Sequence, residues 1–373
     1  MNTLPLPSAP SLKVRAAAAL HGFFRRAHQR AVLKPYRFVH VMNNGIHSAG
    51  IVEFVNRNFD PAEHAFVFPV TTAATRERLA GRSNVYQFGL DGLHPGGAQR
   101  IIFHGLFTDE VVTHLHRHPE LLRRSSWFIW GGDLYNAPGD PVHNAVRRGF
   151  AGVITSFDRD VYTARYGDTP RFFDVAYPHE LDEEMLDPRL AARKPGQVHI
   201  QINNSADETT LEMLDTLGRF RDEDIKVSTV LSYISHGQDD CRLQILRRGE
   251  AIFGAKFNPI MQFMPLAEYA SHLSTVDVYI SNQNRQQGNG NAAFICSLGG
   301  KVFVKSDTPV YRTYADRGIR YFDTYDIATM SFQELTARDP VEKAATTSLL
   351  RERMSEPYKV RQWGGLFAGL ARL

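Results

Sequence analysis

The chain has 373 residues, of which 43% are hydrophobic and 22% are charged, and its formal net charge is +3. This length exceeds what one hydrophobic core usually supports, so we expect two domains of an ordinary globular protein. No apolar run reaches the roughly 20 residues of a membrane span, and the start of the chain lacks a signal peptide. The two cysteines, Cys241 and Cys296, form no metal-ligand spacing, and we interpret them as core thiols in a reducing cytoplasm.

Basic residues are concentrated at the start of the chain. Residues 1–37 contain seven Lys or Arg and no acid, so this segment carries +7, and the remaining 36 basic and 40 acidic residues sum to −4. The pattern predicts a helix over 11–33 with apolar side chains on one side and basic residues around it. Such a helix suits an anionic membrane surface, and a loosely docked or disordered basic arm is the alternative. We expect no nucleic acid partner, because no reading motif accompanies the charge.

Strand and helix signals alternate from Tyr36 onwards. We predict helices at 51–58 and 108–116, and strands at 37–42, 65–70, 84–88, 100–103, 126–130 and 152–155. This alternation predicts a parallel sheet covered by helices. Polar, glycine-containing loops follow three of these strands, at 43–50, 104–105 and 131–135. They fall on the sheet edge where open α/β folds bind ligands.

The second half of the chain repeats this alternation. We predict strands at 197–202, 226–231, 276–280 and 301–304, and helices at 209–219, 241–249, 266–273 and 292–298. The whole pattern predicts an α/β protein with two Rossmann-like domains facing across a cleft, which is the GT-B layout, although other two-lobed proteins share it. The predicted parts are a basic segment at 1–35, a first domain at 36–180, a linker at 181–196, a second domain at 197–356 and a closing helix at 357–373.

The loop at 281–290 is the most polar of these connections. It contains Asn, Gln and Gly residues with one cation, Arg285, and a helix is predicted directly after it. Glycines allow backbone N–H groups to approach a ligand, and the start of a helix attracts an anion. The loop is therefore suited to a phosphate or diphosphate. An amide-rich surface turn is the alternative, because a lone glycine-rich loop is a weak signal.

Several stretches resemble the TDP-N-acetylfucosamine:lipid II N-acetylfucosaminyltransferase family. Phe103-His104-Gly105 and the run Trp127 to Tyr135 are similar to the F-H-G and W-x-I-W-G-x-D-L-Y patterns of that family. Asn204 to Asp207 resembles its N-S-G-D loop with Ala206 in place of the glycine, and Arg285 to Gly290 resembles its R-Q-Q-G-x-G loop. The resemblance covers about 103–314, and the basic segment before Tyr36 has no counterpart in the family.

The resemblance implies a GT-B glycosyltransferase acting in bacterial surface polysaccharide biosynthesis. Its donor would be a dTDP- or UDP-activated deoxy or amino sugar, and its acceptor a lipid-linked saccharide at the inner face of the cell inner membrane. The enzyme would then be cytoplasmic and peripheral on that membrane. A sugar-nucleotide epimerase of the same fold, or a non-catalytic protein that binds a sugar nucleotide or polysaccharide, are the alternatives.

Donor binding is expected in the second domain. No Asp-x-Asp pair lies in its polar loop, so we predict metal-independent transfer without a cofactor, with Arg285, backbone amides and the helix dipole offsetting the phosphate charge. For Asn204 and Ser205, which follow the first strand of this domain, helix capping is the alternative role. The predicted donor-binding residues are Asn204, Ser205, Tyr233, Arg285, Gln286, Gly288, Asn289 and Gly290.

Catalytic and acceptor-binding residues are expected in the first domain. Asp133 follows an apolar strand and two glycines, which predicts a partly desolvated general base; capping of the turn, or pairing with a nearby arginine, is the alternative. His104 is a second candidate for the base or for orienting it, with a structural histidine as the alternative. His47, Trp130 and Tyr135 are predicted to contact the acceptor, although packing against the sheet is the commoner use of aromatic side chains.

Overall fold

A computed structural model of the chain describes residues 12–45, 47–93, 99–168, 170–178, 181, 196–232 and 239–373. The chain divides into two compact units. The first comprises Met1–Ile154, Tyr166–Phe173 and Ala368–Leu373, and the second comprises Thr155–Arg165 and Asp174–Phe367. The predicted domain limits, 36–180 and 197–356, stay a prediction. Most of the predicted linker at 181–196 lies outside the described residues.

The first unit is built on a parallel sheet. Its strands are short and mostly buried, which is typical of sheets covered on both faces. They are β1 (Phe38–Val41), β2 (His64–Val67), β3 (Val85–Tyr86), β4 (Arg100–His104), β5 (Ser125–Phe128), β6 (Gly152–Ile154) and β7 (Arg171–Phe173). Among the described residues the sheet has seven strands in the order β3-β2-β1-β4-β5-β6-β7, with every pair parallel.

Helices connect these strands. The predicted helices after β1 and β4 are present, and the strand predicted over 65–70 ends at Val67, shortly before Pro69, which has no N–H to donate. The basic segment contains a helix of 22 residues, close to the predicted 11–33. The helices are α1 (Leu12–Leu33), α2 (Ser48–Asn58), α3 (Ala73–Arg78), α4 (Asp109–Arg117), α5 (Gly132–Tyr135), α6 (Pro141–Gly149) and α7 (Arg159–Tyr166).

The second unit has its own parallel sheet. The strands are β8 (Val198–Ile202), β9 (Ile225–Thr229), β10 (Val278–Ser281), β11 (Lys301–Val304) and β12 (Phe322–Asp323), in the order β12-β11-β10-β8-β9 over the described residues. The helices are α8 (Glu208–Leu217), α9 (Asp239–Phe253), α10 (Leu266–Ser274), α11 (Asn289–Ser297), α12 (Pro309–Asp316), α13 (Phe332–Thr336), α14 (Pro340–Met354) and α15 (Glu356–Leu370).

Alternation along β10 divides the core of this unit between the two faces of the sheet. Val278 and Ile280 belong to the cluster that packs with α8 and α9. Tyr279, between them, belongs to the cluster formed with α11 and α12. Successive side chains of a strand point to opposite faces, so this single strand anchors helices on both sides. The loop that follows Ser281 therefore leaves a strand held rigidly on both faces.

Candidate active site

The loops after β1 and β4 are tied together by Asn43. Its side-chain Nδ2 donates to the backbone oxygen of His104 at 2.7 Å. Its Oδ1 accepts from the N–H of Gly45 at 2.7 Å and from the Ser48 hydroxyl at 2.8 Å. Asn43, Gly45 and Ser48 are thus tied to the end of β4, at the carboxyl edge of the first sheet, where the sequence predicts a binding site.

Asp133 ties the loop after β5 to the loop after β4. One carboxylate oxygen accepts from the Trp127 indole at 2.6 Å and from the Leu106 N–H at 3.0 Å, and the other accepts from the Trp130 N–H at 2.9 Å. The turn that presents it requires Gly131, whose φ of +94° favours glycine. Both oxygens are engaged and the residue is only 4% exposed.

The environment of Asp133 acts on its pKa in two directions. Burial raises the pKa above its ordinary value, and the hydrogen bonds from Trp127, Leu106 and Trp130 lower it by stabilising the ionised carboxylate. Three donors converging on one buried carboxylate are typical of a group that holds loops in place. These contacts favour the structural alternative, a carboxylate that caps the turn, over the predicted general base.

His104 lies in a buried row of three histidines. Its Nε2 is 3.0 Å from Nδ1 of His40, and Nε2 of His40 is 3.1 Å from Nδ1 of His64. Burial lowers the pKa of His104 to about 3 and that of His64 to about 4, so both rings are neutral at neutral pH. A ring with no exposed surface cannot reach an acceptor hydroxyl, and the structural alternative is favoured for His104 as well.

An aromatic surface is exposed at the same edge of the first sheet. The Trp130 ring lies 5.9 Å from the His47 ring and 6.2 Å from the Phe107 ring, between centroids. Phe107 is 52% exposed, and His47 is also exposed. Tyr135 is half-buried in α5. His47 and Trp130, two of the predicted acceptor contacts, therefore lie close together. Phe107 lies on the same surface and was not predicted, although its position directly after the His-Gly-Leu turn could have indicated it.

The polar loop of the second unit is fixed to the loop after β8 by Asn203. This residue adopts a left-handed conformation, with φ of +47°. Its Oδ1 accepts from the N–H of Asn282 at 2.8 Å, and its Nδ2 donates to the Thr210 hydroxyl at 2.9 Å. Asn282 in turn donates to the backbone oxygen of Thr209 at 3.0 Å. The loops after β8 and β10 therefore form one polar layer at the carboxyl edge of this sheet.

Ser205 lies at the junction of these two loops. Its hydroxyl accepts from Nε2 of Gln283 at 3.1 Å and also from Nε2 of Gln287. Gln283 reaches Asp207 as well, at 2.9 Å, and Asp207 caps the first turn of α8. The predicted donor-binding Ser205 thus has a structural role in joining the loops, in addition to any contact with a ligand.

The start of α11 presents polar groups that lack partners. Within the described part of the chain, no hydrogen-bond partner reaches four buried side-chain atoms: Asn204 Oδ1, Gln283 Oε1, Gln286 Oε1 and Asn289 Nδ2. Leaving such an atom unpaired costs about 1–3 kcal/mol, and clusters of them are uncommon in folded proteins. A polar ligand at this loop would supply the missing partners.

Gly288 and Arg285 complete this loop. Gly288 has φ of +64°, and a Cβ there would lie 2.7 Å from Cγ of Asn204, so only glycine allows the two loops to approach this closely. Arg285 is half-buried and donates to the backbone oxygen of Gln286 at 3.3 Å, with no ion pair to any described carboxylate. The other predicted residue of the loop, Gly290, lies in the first turn of α11. Tyr233 lies outside the described residues.

Acidic and imidazole groups do not gather into a metal site in the described parts of the chain. No group of three or more His, Cys, Asp or Glu residues is arranged there to hold an ion. Cys241 and Cys296 are free thiols, and burial raises the pKa of both, that of Cys296 to about 11. Cys296 is buried in the core, as predicted, whereas Cys241 is only partly buried and packs against the edge of a core cluster.

The fold of the chain is similar to that of several solved structures. The chain matches the N-terminal domain of trehalose-6-phosphate phosphatase of Candida albicans with a TM-score of 0.63 at 11% identity, covering 90% of this chain and 99% of that one. It matches HepE of Anabaena, solved with UDP and glucose, with a TM-score of 0.60 at 10% identity, covering 89% and 99%. A UDP-forming trehalose-phosphate synthase of Burkholderia xenovorans gives 0.57 at 10%, covering 90% and 99%. The protein therefore has the GT-B glycosyltransferase fold, as predicted.

The sequence also matches a family. The sequence model of the 4-alpha-L-fucosyltransferases, glycosyl transferase group 56, matches residues 92–336, which is more than half of the chain. The chain belongs to this family, and the resemblance found in the sequence is confirmed. The protein is a glycosyltransferase that moves a sugar from a nucleotide-sugar donor.

Proposed function

We propose that this glycosyltransferase moves a deoxy or amino sugar, similar to N-acetylfucosamine, from a dTDP or UDP donor to a lipid-linked saccharide during bacterial surface polysaccharide biosynthesis. The observation that carries the donor site is the group of polar atoms around the start of α11 that have no partner among the described residues, beside Arg285, which forms no ion pair with a described carboxylate. Diphosphate oxygens would accept from Arg285 and from Nδ2 of Asn289, and sugar hydroxyls would donate to the unpartnered amide oxygens. The family supports the class of sugar.

The donor diphosphate is held by the loop after β10 in this proposal. The amide oxygens of Asn204 and Gln286 accept from hydroxyls of the donor sugar. The charge of the diphosphate is offset by Arg285, by Nδ2 of Asn289, by the backbone amides from Gly288 to Gly290 and by the dipole of α11. The bond between the anomeric carbon and the diphosphate oxygen breaks, and its electron pair leaves with the diphosphate. The same groups stabilise that leaving group, so we propose that transfer proceeds without a metal ion.

The acceptor sugar lies on the aromatic surface of the first unit in this proposal. Phe107 and Trp130 present ring faces to the apolar side of a pyranose, and Tyr135 borders them. His47 is the exposed imidazole of this surface, and we assign it the proton of the attacking hydroxyl as that oxygen bonds to the anomeric carbon. Asp133 then positions the two loops that carry the aromatic rings.

The basic segment places the enzyme on a membrane in this proposal. Phe23 and Phe24 on α1 are 60% and 61% exposed, and the segment around them carries +7. Exposed aromatic rings among arginines suit the headgroup region of an anionic membrane. Among the described residues no helix is both long and apolar enough for a membrane span. We propose peripheral attachment at the inner face of the cell inner membrane, where a lipid-linked acceptor is presented.

The reaction is tested with synthetic acceptors. The enzyme is incubated with a polyprenyl diphosphate disaccharide and one donor at a time, and the donors are dTDP- and UDP-activated deoxy, amino and ordinary hexoses. The mass of the lipid product is measured by mass spectrometry. We expect a mass increment of one deoxy amino sugar, and loss of turnover without loss of donor affinity in His47→Ala. Transfer of an ordinary hexose alone, or release of free sugar with no lipid product, would contradict the proposed donor or acceptor.

A further inference from the structure

A second buried cation lies one strand away from the polar loop. Lys305 directly follows β11 and is only 7% exposed. Its Nζ donates to Oδ1 of Asn284 at 2.6 Å, and over the described residues no carboxylate oxygen lies within ion-pair distance of it. Asn284 belongs to the same loop as Arg285. The ammonium group of Lys305 is therefore held at the carboxyl edge of the sheet by a neutral amide.

The surroundings of Lys305 present further polar groups at the ends of β11 and β12. The exposed Tyr325 ring lies 5.9 Å from its Nζ, and the Tyr325 hydroxyl donates to Asp307 at 3.2 Å. Asp323 is occupied by two backbone N–H groups, those of Ser306 and Tyr325. In the described part of the chain the buried hydroxyl of Thr324 has no partner. These groups continue the polar layer beyond the loop after β10.

Lys301, four residues earlier in β11, shows what a satisfied buried lysine looks like in this sheet. Its Nζ donates to the backbone oxygens of Glu334 at 2.6 Å and Ala337 at 3.0 Å, and it lies 4.3 Å from the centre of the Phe322 ring. A buried charge is costly unless hydrogen bonds or an opposite charge compensate it. Lys301 has two backbone acceptors within the fold, which compensate part of that cost, since burial still lowers its pKa to about 8. Lys305, at the edge where ligands bind, has one amide oxygen.

We infer that Lys305 binds an oxyanion of the nucleotide-sugar donor, together with Arg285. This inference rests on the proposed function, because it places the donor at the same edge, and it extends the site from the loop after β10 to the ends of β11 and β12. The oxyanion is a phosphoryl oxygen of the diphosphate, which every nucleotide-sugar donor contains. The ammonium group of Lys305 then donates to this charged acceptor in addition to the Asn284 oxygen or in place of it, and a hydrogen bond to a charged acceptor is the stronger one.

Titration calorimetry with defined nucleotides tests this role. The probes are UDP and dTDP, their nucleosides, UDP-glucose and UDP-glucuronate, and the proteins are wild type, Lys305→Met, Lys305→Arg and Lys343→Met. Lys343 is the matched control, because it is an exposed lysine of the same unit that lies against Gly299, beyond the opposite end of α11. Thermal unfolding of each variant checks that it is folded.

For a phosphoryl contact we expect Lys305→Met to weaken binding of the nucleoside diphosphate by about 10- to 100-fold and to leave nucleoside binding unchanged. Lys305→Arg retains most of the affinity, and Lys343→Met matches wild type. Loss confined to UDP-glucuronate, with UDP and dTDP binding unchanged, overturns the inference, because the contact would then be with the sugar and not with the phosphate. Equal affinities for all probes in Lys305→Met and wild type overturn the inference while the proposed function stands. If the wild-type protein binds no nucleotide at all, both the inference and the proposed function are contradicted.

Discussion

The clearest quantitative test of the first unit is Asp133→Asn, because a positioning role for this residue predicts a loss of stability and a general base predicts unchanged stability. The aspartate carboxylate accepts two hydrogen bonds at one oxygen and one at the other. Asparagine has a single acceptor oxygen, so in either orientation its NH2 group faces the N–H of Trp130 or those of Leu106 and Trp127. At least one charge-assisted hydrogen bond is lost, and the others lose their charge.

Each hydrogen bond to a charged group contributes about 1.5–3 kcal/mol, and removing a buried charge returns part of that. We therefore expect Asp133→Asn to lower the free energy of unfolding by about 2–4 kcal/mol and Tm by about 5–10 °C. Stability is measured by differential scanning calorimetry and by guanidinium titration, with tryptophan fluorescence as the signal of unfolding. Asp109→Asn, at a side chain that is 88% exposed in the same unit, is the control and should change stability by about 0.5 kcal/mol or less.

Turnover of the same variants separates the two roles further. A positioning role predicts that Asp133→Asn loses acceptor affinity along with stability, because the loops that carry Phe107 and Trp130 are released. Unchanged unfolding with abolished turnover and normal donor affinity would refute this reasoning and restore Asp133 as the general base.

Three further predictions concern the buried histidines, the loop glycine and the aromatic surface. The folded pKa values of His64 and His104, about 4 and about 3, lie below the usual 6.5, so the unfolded chain binds protons first and stability is lost as pH falls below about 6.5, by up to about 1.4 kcal/mol per pH unit for each ring. In denaturant titrations between pH 7.5 and 5, the free energy of unfolding should fall less steeply with pH in His64→Phe than in wild type, and an equal fall would contradict the lowered pKa of His64. Gly288→Ala forces a Cβ into a left-handed residue against Asn204, which costs about 1–3 kcal/mol, and calorimetry should show weakened nucleotide binding; unaltered affinity would show that the loop does not contact the donor. Phe107→Ala should raise the acceptor KM about 3- to 10-fold with the nucleotide Kd unchanged, and an unchanged KM would remove Phe107 from the acceptor surface.

The architecture of both units follows from local signals that a sequence contains. Apolar runs such as Val278 to Ile280, bounded by glycines and polar residues, predicted strands at the observed places, and their alternation with helices predicted parallel sheets. The prediction did not include the helices α3, α5, α6, α7, α12, α13 and α14 or the strands β7 and β12.

The roles of individual side chains depend on contacts that no local pattern contains. The sequence placed Asp133 at the end of a strand, but its partners Leu106 and Trp127 come within reach only because β4 and β5 pair in the register that puts His104 beside Phe128. In the sequence, Lys305 is likewise not distinguishable from an ordinary lysine that follows a strand. Its burial and its single amide partner result from packing between three loops.

The central claim is that the loop after β10 holds the donor diphosphate without a metal ion. Calorimetric titration of UDP and dTDP into wild type, Arg285→Ala and Arg285→Lys, all in excess chelator, tests it most directly. We predict that wild type binds one of the two nucleotides, that Arg285→Ala loses about tenfold or more of that affinity, and that Arg285→Lys retains part of it. Binding that appears only after magnesium is restored, or affinity that is identical in Arg285→Ala and wild type, would contradict the claim.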